Sequence, residues 1–156
     1  MRSKNFIHKS SYVSKKSKIG YNNQIWINVQ IRESSVIGNS NIISKDVYID
    51  KNVKIGNNCK IQNSVNIYDG VTIKNNVFIG PSVTFTNDYF PRANNKNWKI
   101  SKTIIEDNAS IGANSTILCG IKIGKGSMIG AGSVLINDAK PNCLYAGNPA
   151  KLKKKL

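Results

Sequence analysis

Aliphatic side chains recur at every sixth position along this chain, and few folds accept that period. From Ile7, steps of six land on Val13, Ile19, Ile25, Ile31, Ile37, Ile43, Ile49, Ile55, Ile61, Ile67, Ile73, Ile79 and Phe85. The register then jumps and resumes at Ile105, Ile111, Ile117, Ile123, Ile129 and Leu135. An amphipathic helix would place its apolar residues three and four apart, so the repeat is not helical. A fixed short period instead marks a solenoid, in which each unit buries its apolar face against the next.

Smaller residues follow four positions after the large ones. They read Val29, Ser35, Asn41, Val47, Val53, Cys59, Val65, Val71, Val77 and Val83, then Ala109, Ser115, Ile121, Ser127 and Ser133. Residues two apart on a strand share a face, so each hexad presents one small and one large inward side chain. Two and three positions beyond the large residue sit turn formers such as Asn39-Ser40, Asn57-Asn58, Asn75-Asn76, Ala113-Asn114, Lys125-Gly126 and Ala131-Gly132. Asn and Gly accept left-handed backbone that other residues resist. The unit is therefore a short strand, a corner and another short strand, and the chain reads as all-β with no sizeable helical domain. Each buried aliphatic contributes on the order of 1.5–3 kcal/mol before chain entropy is subtracted.

The repeat breaks once. From residue 86 to about 103 the phase is lost, so this segment leaves the stack as an external loop, and 1–156 otherwise forms one domain ending in a short basic tail at 151–156. The loop carries Tyr89, Phe90, Arg92 and Trp98, a content unusual for a connector. Loops on rigid scaffolds are where function concentrates, and two readings fit: a ligand-binding segment or an arm contacting another subunit.

Composition narrows the class. Lys and Arg number 23 against 8 Asp and Glu, a formal charge of +15. That excess fits either an anionic partner or compositional drift in a chain rich in Lys, Asn and Ile. Nothing resembles a helix-turn-helix, a zinc finger or an RNA-binding sheet, so nucleic acid is not the expected partner. No stretch approaches the ~20 apolar residues of a membrane span, and no apolar run follows the basic N-terminus, so neither membrane insertion nor secretion is expected. Cys59, Cys119 and Cys143 suggest neither a disulfide framework nor a zinc site, and the expected location is cytoplasmic.

Several longer motifs now combine. Gly80-Pro81-Ser82 precedes Phe85-Thr86-Asn87-Asp88 and Pro91-Arg92. Ile111-Gly112-Ala113-Asn114-Ser115-Thr116-Ile117, Cys119-Gly120-Ile121 and Ile129-Gly130-Ala131-Gly132-Ser133-Val134 follow, and Ala146-Gly147-Asn148-Pro149-Ala150-Lys151 comes last. From about Ile7 to Lys151 the chain resembles the hexapeptide-repeat acyltransferases, in particular those that N-acetylate the 3-amino group of nucleotide-linked deoxysugars. The hexads and the Gly-Asn-Pro-Ala ending are shared across the superfamily, whereas Phe-Thr-Asn-Asp is the narrower signal.

The resemblance implies a left-handed parallel β-helix of triangular section with about six to seven coils. It implies a homotrimer with active sites between subunits, acetyl-CoA as co-substrate along the later coils, no metal, and a nucleotide-sugar nearer the loop. The favoured acceptor is a dTDP-3-amino-3,6-dideoxyhexose used in O-antigen and other surface-polysaccharide (lipopolysaccharide) precursor synthesis. A UDP-linked 3-amino uronate and a sugar O-acetyltransferase are the alternatives. Gly112, Ala113, Gly130 and Ala131 are then cofactor-binding, presenting backbone groups to pantetheine, and Lys151 stands where many relatives have Arg beside the CoA 3′-phosphate. Tight turn geometry explains the small residues equally well.

Acetylating a hydroxyl generally needs a His base, because the alcohol must lose its proton as it attacks. The single histidine, His8, falls in the first repeat, remote from the loop, and is expected to be a capping or surface residue. Some relatives carry His in the Trp-x-x-x-x-Ile hexad, but Trp26-Ile27-Asn28-Val29-Gln30-Ile31 has none. An amine acceptor already carries a nucleophilic lone pair. In that reading Asn87 is the catalytic residue, orienting the amine towards the thioester. Substrate-binding candidates are Gln30, Asn63, Asn66, Tyr68, Asp88 and Arg92, the last as a phosphate partner. Tyr89, Phe90 or Trp98 would stack on the base or pack on a neighbour. A γ-type carbonic anhydrase would need three His on zinc, and an ice-binding β-helix would need a repeated Thr face; the chain has neither.

Overall fold

The computed structural model describes residues 4–156. The hexads form two- and three-residue strands that wind into a left-handed parallel β-helix with three flat faces and no helix among the described residues. The first face has nine strands, beginning with Phe6–Ile7 and ending with Cys143–Ala146 and Lys151–Lys155. The second has seven, from Tyr12–Val13 to Val134–Leu135, and the third has six, from Lys18–Ile19 to Lys122–Ile123. Successive coils pair in parallel at a spacing of 18 residues, as in Gln24 opposite Ile42 and Lys60 opposite Phe78.

The corners explain the sequence pattern. From Ile19 to Ile79 and from Ile105 to Ile129, the third residue after each large aliphatic adopts a left-handed backbone, for example Asn28, Ser40, Asn58, Asn76 and Asn114 at φ between 55° and 57°. Asn, Ser and Gly fill nearly all such positions because other side chains meet the carbonyl there. Each corner lets the chain turn while both inward residues of the hexad stay in the core. Ile31, Ile43, Ile61 and Ile79 are fully buried, as are Val29, Val53 and Val65 of the smaller stripe.

Polar members of that smaller stripe are satisfied in the interior. Asn41 Oδ1 accepts the backbone N–H of Cys59 at 2.8 Å, and its Nδ2 donates to Gly56 O at 2.9 Å. Asn23 repeats this one coil earlier, accepting from Asn41 N and donating to Gly38 O. Ser35 Oγ donates to Asp50 O at 2.8 Å. No buried side-chain N or O among the described residues lacks a partner. Buried amides are tolerated on this condition, since an unmatched one would cost about 1–3 kcal/mol.

Regular structure stops after the strand Thr84–Phe85 and resumes at Thr103–Ile105. Across the break, Phe78 pairs with Ser110 and Thr84 with Thr116, so the coil holds 32 residues between partners in place of 18. The extra residues leave at the edge where the second face turns into the third. The basic segment at the C-terminus is ordered. Lys151–Lys155 runs antiparallel to Cys143–Ala146, with Ala146 opposite Lys151, and extends the first face.

Candidate active site

The loop is seated by two hydroxyls and two glycines. Thr86 Oγ1 accepts the N–H of Cys119 at 2.9 Å, and Thr103 Oγ1 accepts that of Gly120 at 3.1 Å, so both ends of the loop are tied to the following coil. On the preceding coil, Gly70 lies at φ +97°, where a Cβ would come within 2.3 Å of Ile100 Cγ2. Glycine is required there for the left-handed backbone and for the close approach of Ile100. Ser101 N donates to Asn87 O at 3.5 Å across the neck.

Thus anchored, the loop divides the edge between the second and third faces into two clefts. The one toward the earlier coils, about 360 Å³, is lined by Arg32, Asp50, Lys51, Tyr68, Asp69, Asn87, Asp88, Trp98 and Ile100. The other, about 660 Å³, is lined by Tyr89, Ser101, Cys119, Gly120, Ile121, Ile136, Asn137 and Asp138. Tyr89 also packs edge-on against Phe90, with ring centroids 4.8 Å apart.

The structure brings the expected catalytic Asn87 together with two of the expected substrate-binding residues, Asp88 and Tyr68, in the earlier cleft. Asp88 Oδ1 accepts the N–H of Phe90 and so shapes the turn after Asn87. Gln30 and Asn66 lie on the outer surface of the second face, in register with Tyr48 between them, and do not line the cleft. Asn63 is exposed at the corner between the first and second faces. Arg92 is exposed, its Nη1 donating to Pro91 O. His8 is partly exposed at that same first–second edge and bonds Ser10 Oγ through Nδ1 at 2.9 Å.

Four functional candidates escaped the sequence reading: Arg32, Tyr48, Asp50 and Asp69. Asp50 is buried and accepts three hydrogen bonds on Oδ1, from Arg32 Nη1 at 3.3 Å, Tyr48 OH at 3.1 Å and Lys51 N at 2.8 Å. Arg32 also pairs with Glu33 at 2.8 Å. Asp69, likewise buried, accepts from Asn52 Nδ2 at 3.0 Å, while its N–H donates to Asp50 Oδ2 at 3.3 Å. Burial raises the pKa of the Tyr48 hydroxyl, so it remains a donor. The cleft thus combines a guanidinium, buried carboxylates, an amide and an indole, a set suited to gripping a polyhydroxylated, charged ligand. Reading the sequence in steps of 18 supplies the missing signal, because Arg32, Asp50 and Tyr68 then fall in one column and Lys51, Asp69 and Asn87 in the next.

The expected cofactor residues form a separate group. Gly112, Ala113, Gly130 and Ala131 stack on the first–second edge, and Lys151 adjoins them through its pairing with Ala146. A Cβ on Gly112 would lie 2.4 Å from Ala131 N, and one on Gly130 would lie 2.9 Å from Ala146 Cβ. Coil stacking alone therefore requires these glycines. Within one chain this edge and the Asn87 cleft are different edges of the prism. No group of three or more His, Cys, Asp or Glu among the described residues is placed to hold a metal ion.

Fold, repeat and loop together define the class: the chain has the hexapeptide-repeat β-helix fold of the acyltransferases, related to that of nucleotide-sugar N-acetyltransferases. Residues 52–87 and 102–137 match the bacterial transferase hexapeptide family (six repeats). Among solved structures, a hexapeptide-repeat acetyltransferase from Vibrio cholerae in complex with acetyl-CoA is 28% identical, with a TM-score of 0.63 over 73% of this chain and 70% of that one. A variant of the GDP-perosamine N-acetyltransferase from Caulobacter crescentus, in complex with CoA and GDP-perosamine, is similar at a TM-score of 0.67 and 19% identity, over 99% of this chain and 58% of that one. At that identity the likeness is one of fold. A tetrahydropyridine-dicarboxylate N-acetyltransferase from Clostridium perfringens is 56% identical over 54 residues, 33% of this chain and 23% of that protein.

Proposed function

We propose that this chain is an acetyl-CoA-dependent N-acetyltransferase acting on the 3-amino group of a nucleotide-linked deoxysugar, with a dTDP-3-amino-3,6-dideoxyhexose as the favoured acceptor. The observation that carries the reading is the loop cleft, where Asn87 stands beside Tyr68, Asp69 and Asp88 with no histidine present. Solved relatives of this fold hold acetyl-CoA or CoA with a nucleotide-linked amino sugar, which supports the ligand classes.

In this reading the neutral amine attacks the thioester carbonyl carbon, the C–S bond breaks, and the departing sulfur takes the proton released by nitrogen. Asn87 Oδ1 orients the amine, and holding both reactants in line supplies several kcal/mol of the barrier reduction. Asp50, Asp69 and Asp88 accept hydrogen bonds from sugar hydroxyls. Backbone N–H groups stabilise the developing oxyanion. Acetyl-CoA lies against Gly112, Ala113, Gly130 and Ala131, with Lys151 at its phosphate. Because that edge and the Asn87 cleft are apart in one chain, the site is completed by a neighbouring copy, as a homotrimer provides.

Buried Asp69 also favours a second reading, sugar O-acetylation with the carboxylate as base. A panel of acceptors with release of CoA thiol as readout decides between them. Turnover is expected on nucleotide-linked 3-amino sugars, lost in Asn87→Ala and kept in His8→Ala. Turnover on hydroxyl acceptors alone, or dependence on His8 in place of Asn87, rejects the N-acetyltransferase mechanism. Light scattering tests the assembly: the expected mass is three times the 17.2 kDa of one chain.

A further inference from the structure

The charge of this chain is unevenly distributed in a way the acyl-transfer reading does not use. All 8 acidic residues follow position 32, so the charged residues of the first coil are all basic, and the second coil adds Arg32 paired with Glu33. Lys4, Lys9, Lys15, Lys16 and Lys18 are all exposed and surround the N-terminal end of the prism, on both the corners and the third face.

The same end exposes apolar surface. Ile7, the first member of the large inward stripe, is 44% exposed, and Val13 and Ile19 are only partly covered. Phe6 and Trp26 pack together at 5.2 Å between centroids, yet remain 47% and 44% exposed. Tyr12 and Ile27 add to the rim. At the opposite end, by contrast, the strands Cys143–Ala146 and Lys151–Lys155 lie beyond the last full coil.

We propose that the N-terminal end of the prism docks peripherally on a bilayer surface containing anionic phospholipids. Lysines around exposed Trp, Phe, Tyr and Ile are the arrangement that interfacial binding requires: aromatic rings settle at the headgroup level, aliphatic groups enter just below, and ammonium groups meet the phosphates. A second copy placed end to end would bring together two rims rich in lysine, with Glu33 the one acidic residue beside Lys15 and Lys16. A nucleic acid would match the charge but leave Ile7 and Ile27 without an apolar environment.

The test is co-sedimentation of the full chain with vesicles of phosphatidylcholine alone or mixed equally with phosphatidylglycerol. Binding is expected only to the mixed vesicles, falling with salt and by about fivefold for each lysine charge removed near the surface. Lys9, Lys15, Lys16 and Lys18→Glu together should abolish it, whereas Lys153 and Lys154→Glu at the other end should leave it. Trp26→Ser should weaken binding with the lysines intact. In a Trp98→Phe background, Trp26 fluorescence should shift to the blue on mixed vesicles. Absence of binding to mixed vesicles, insensitivity to the N-terminal reversal, or displacement by tighter-binding single-stranded DNA overturns the proposal. Acetylation of a soluble acceptor by the same variants is read separately, so failure of docking is distinguishable from failure of the enzymatic reading.

Discussion

The carboxylates of Asp50 and Asp69 are buried one coil apart, with Asp69 N donating to Asp50 Oδ2 at 3.3 Å and Asn52 Nδ2 capping Asp69 Oδ2 at 3.0 Å. This linkage places negative charge at the wall of the cleft that Asn87 overhangs. Asp69→Asn keeps an acceptor for Asn52 and removes one of two adjacent charges, so the fold should be retained. If Asp69 holds the acceptor, weakening one charge-assisted hydrogen bond raises KM by about tenfold. Steady-state kinetics with the amino sugar varied, beside a thermal melt, checks this. An unchanged KM would remove Asp69 from the site.

Asn41 tests the polar interior. Asn41→Ala leaves Cys59 N and Gly56 O without the partners that Oδ1 and Nδ2 now supply. At about 1–3 kcal/mol for each buried unsatisfied group, stability should fall by about 2–6 kcal/mol. Urea unfolding measures it, and a loss below about 1 kcal/mol would mean that water or backbone movement satisfies both groups.

Gly112 and Gly132 separate the demands of stacking from those of ligand contact. A Cβ at Gly112 would strike the backbone of Ala131, whereas one at Gly132 meets nothing within 4 Å and only the φ of +68° opposes it. Gly112→Ala should destabilise by more than about 1–3 kcal/mol, the usual range for overpacking. Gly132→Ala should cost about 1–2 kcal/mol, the price of a left-handed residue with a side chain. Melts without acetyl-CoA should show this order. Equal effects would contradict backbone contact as the cause.

Cys59 makes stability depend on alkaline pH. Burial pushes its thiol up to about 11 from an ordinary value of 9.0. Because the folded pKa is the higher one, the unfolded chain loses its proton first as pH rises. The thiol's contribution is therefore whole below about 9 and declines towards 11. The measurement is the difference between this chain and Cys59→Val in urea unfolding from pH 7 to 10.5, which cancels every pH effect the two share. This chain should lose stability relative to Cys59→Val towards the alkaline end; a pH-independent difference would mean that the thiol is not shielded.

The repeating unit was legible in the sequence because a six-residue period is local: each large aliphatic, each small partner and each Asn or Gly corner specifies its own hexad, whereas the triangular section and left hand came from the resemblance. Ile61, Val65 and Ser64 state strand, core and left-handed turn without reference to anything distant. The loop was legible as a break in that phase. The cleft was only half legible. Asn87 and Asp88 stood out in the loop motif and Tyr68 in a coil that resembles a sugar-side one, but Asp50 and Asp69 acquire their position from neighbours a full coil away. Winding alone brings Arg32 to Asp50 and both beneath Asn87. Likewise, Gly112 and Gly130 read as small residues in sequence, and only the stack shows backbone atoms of the next coil occupying the space where a Cβ would be. A period fixes the shape of each rung, whereas the chemistry of an edge depends on which rungs the closed coil places in contact.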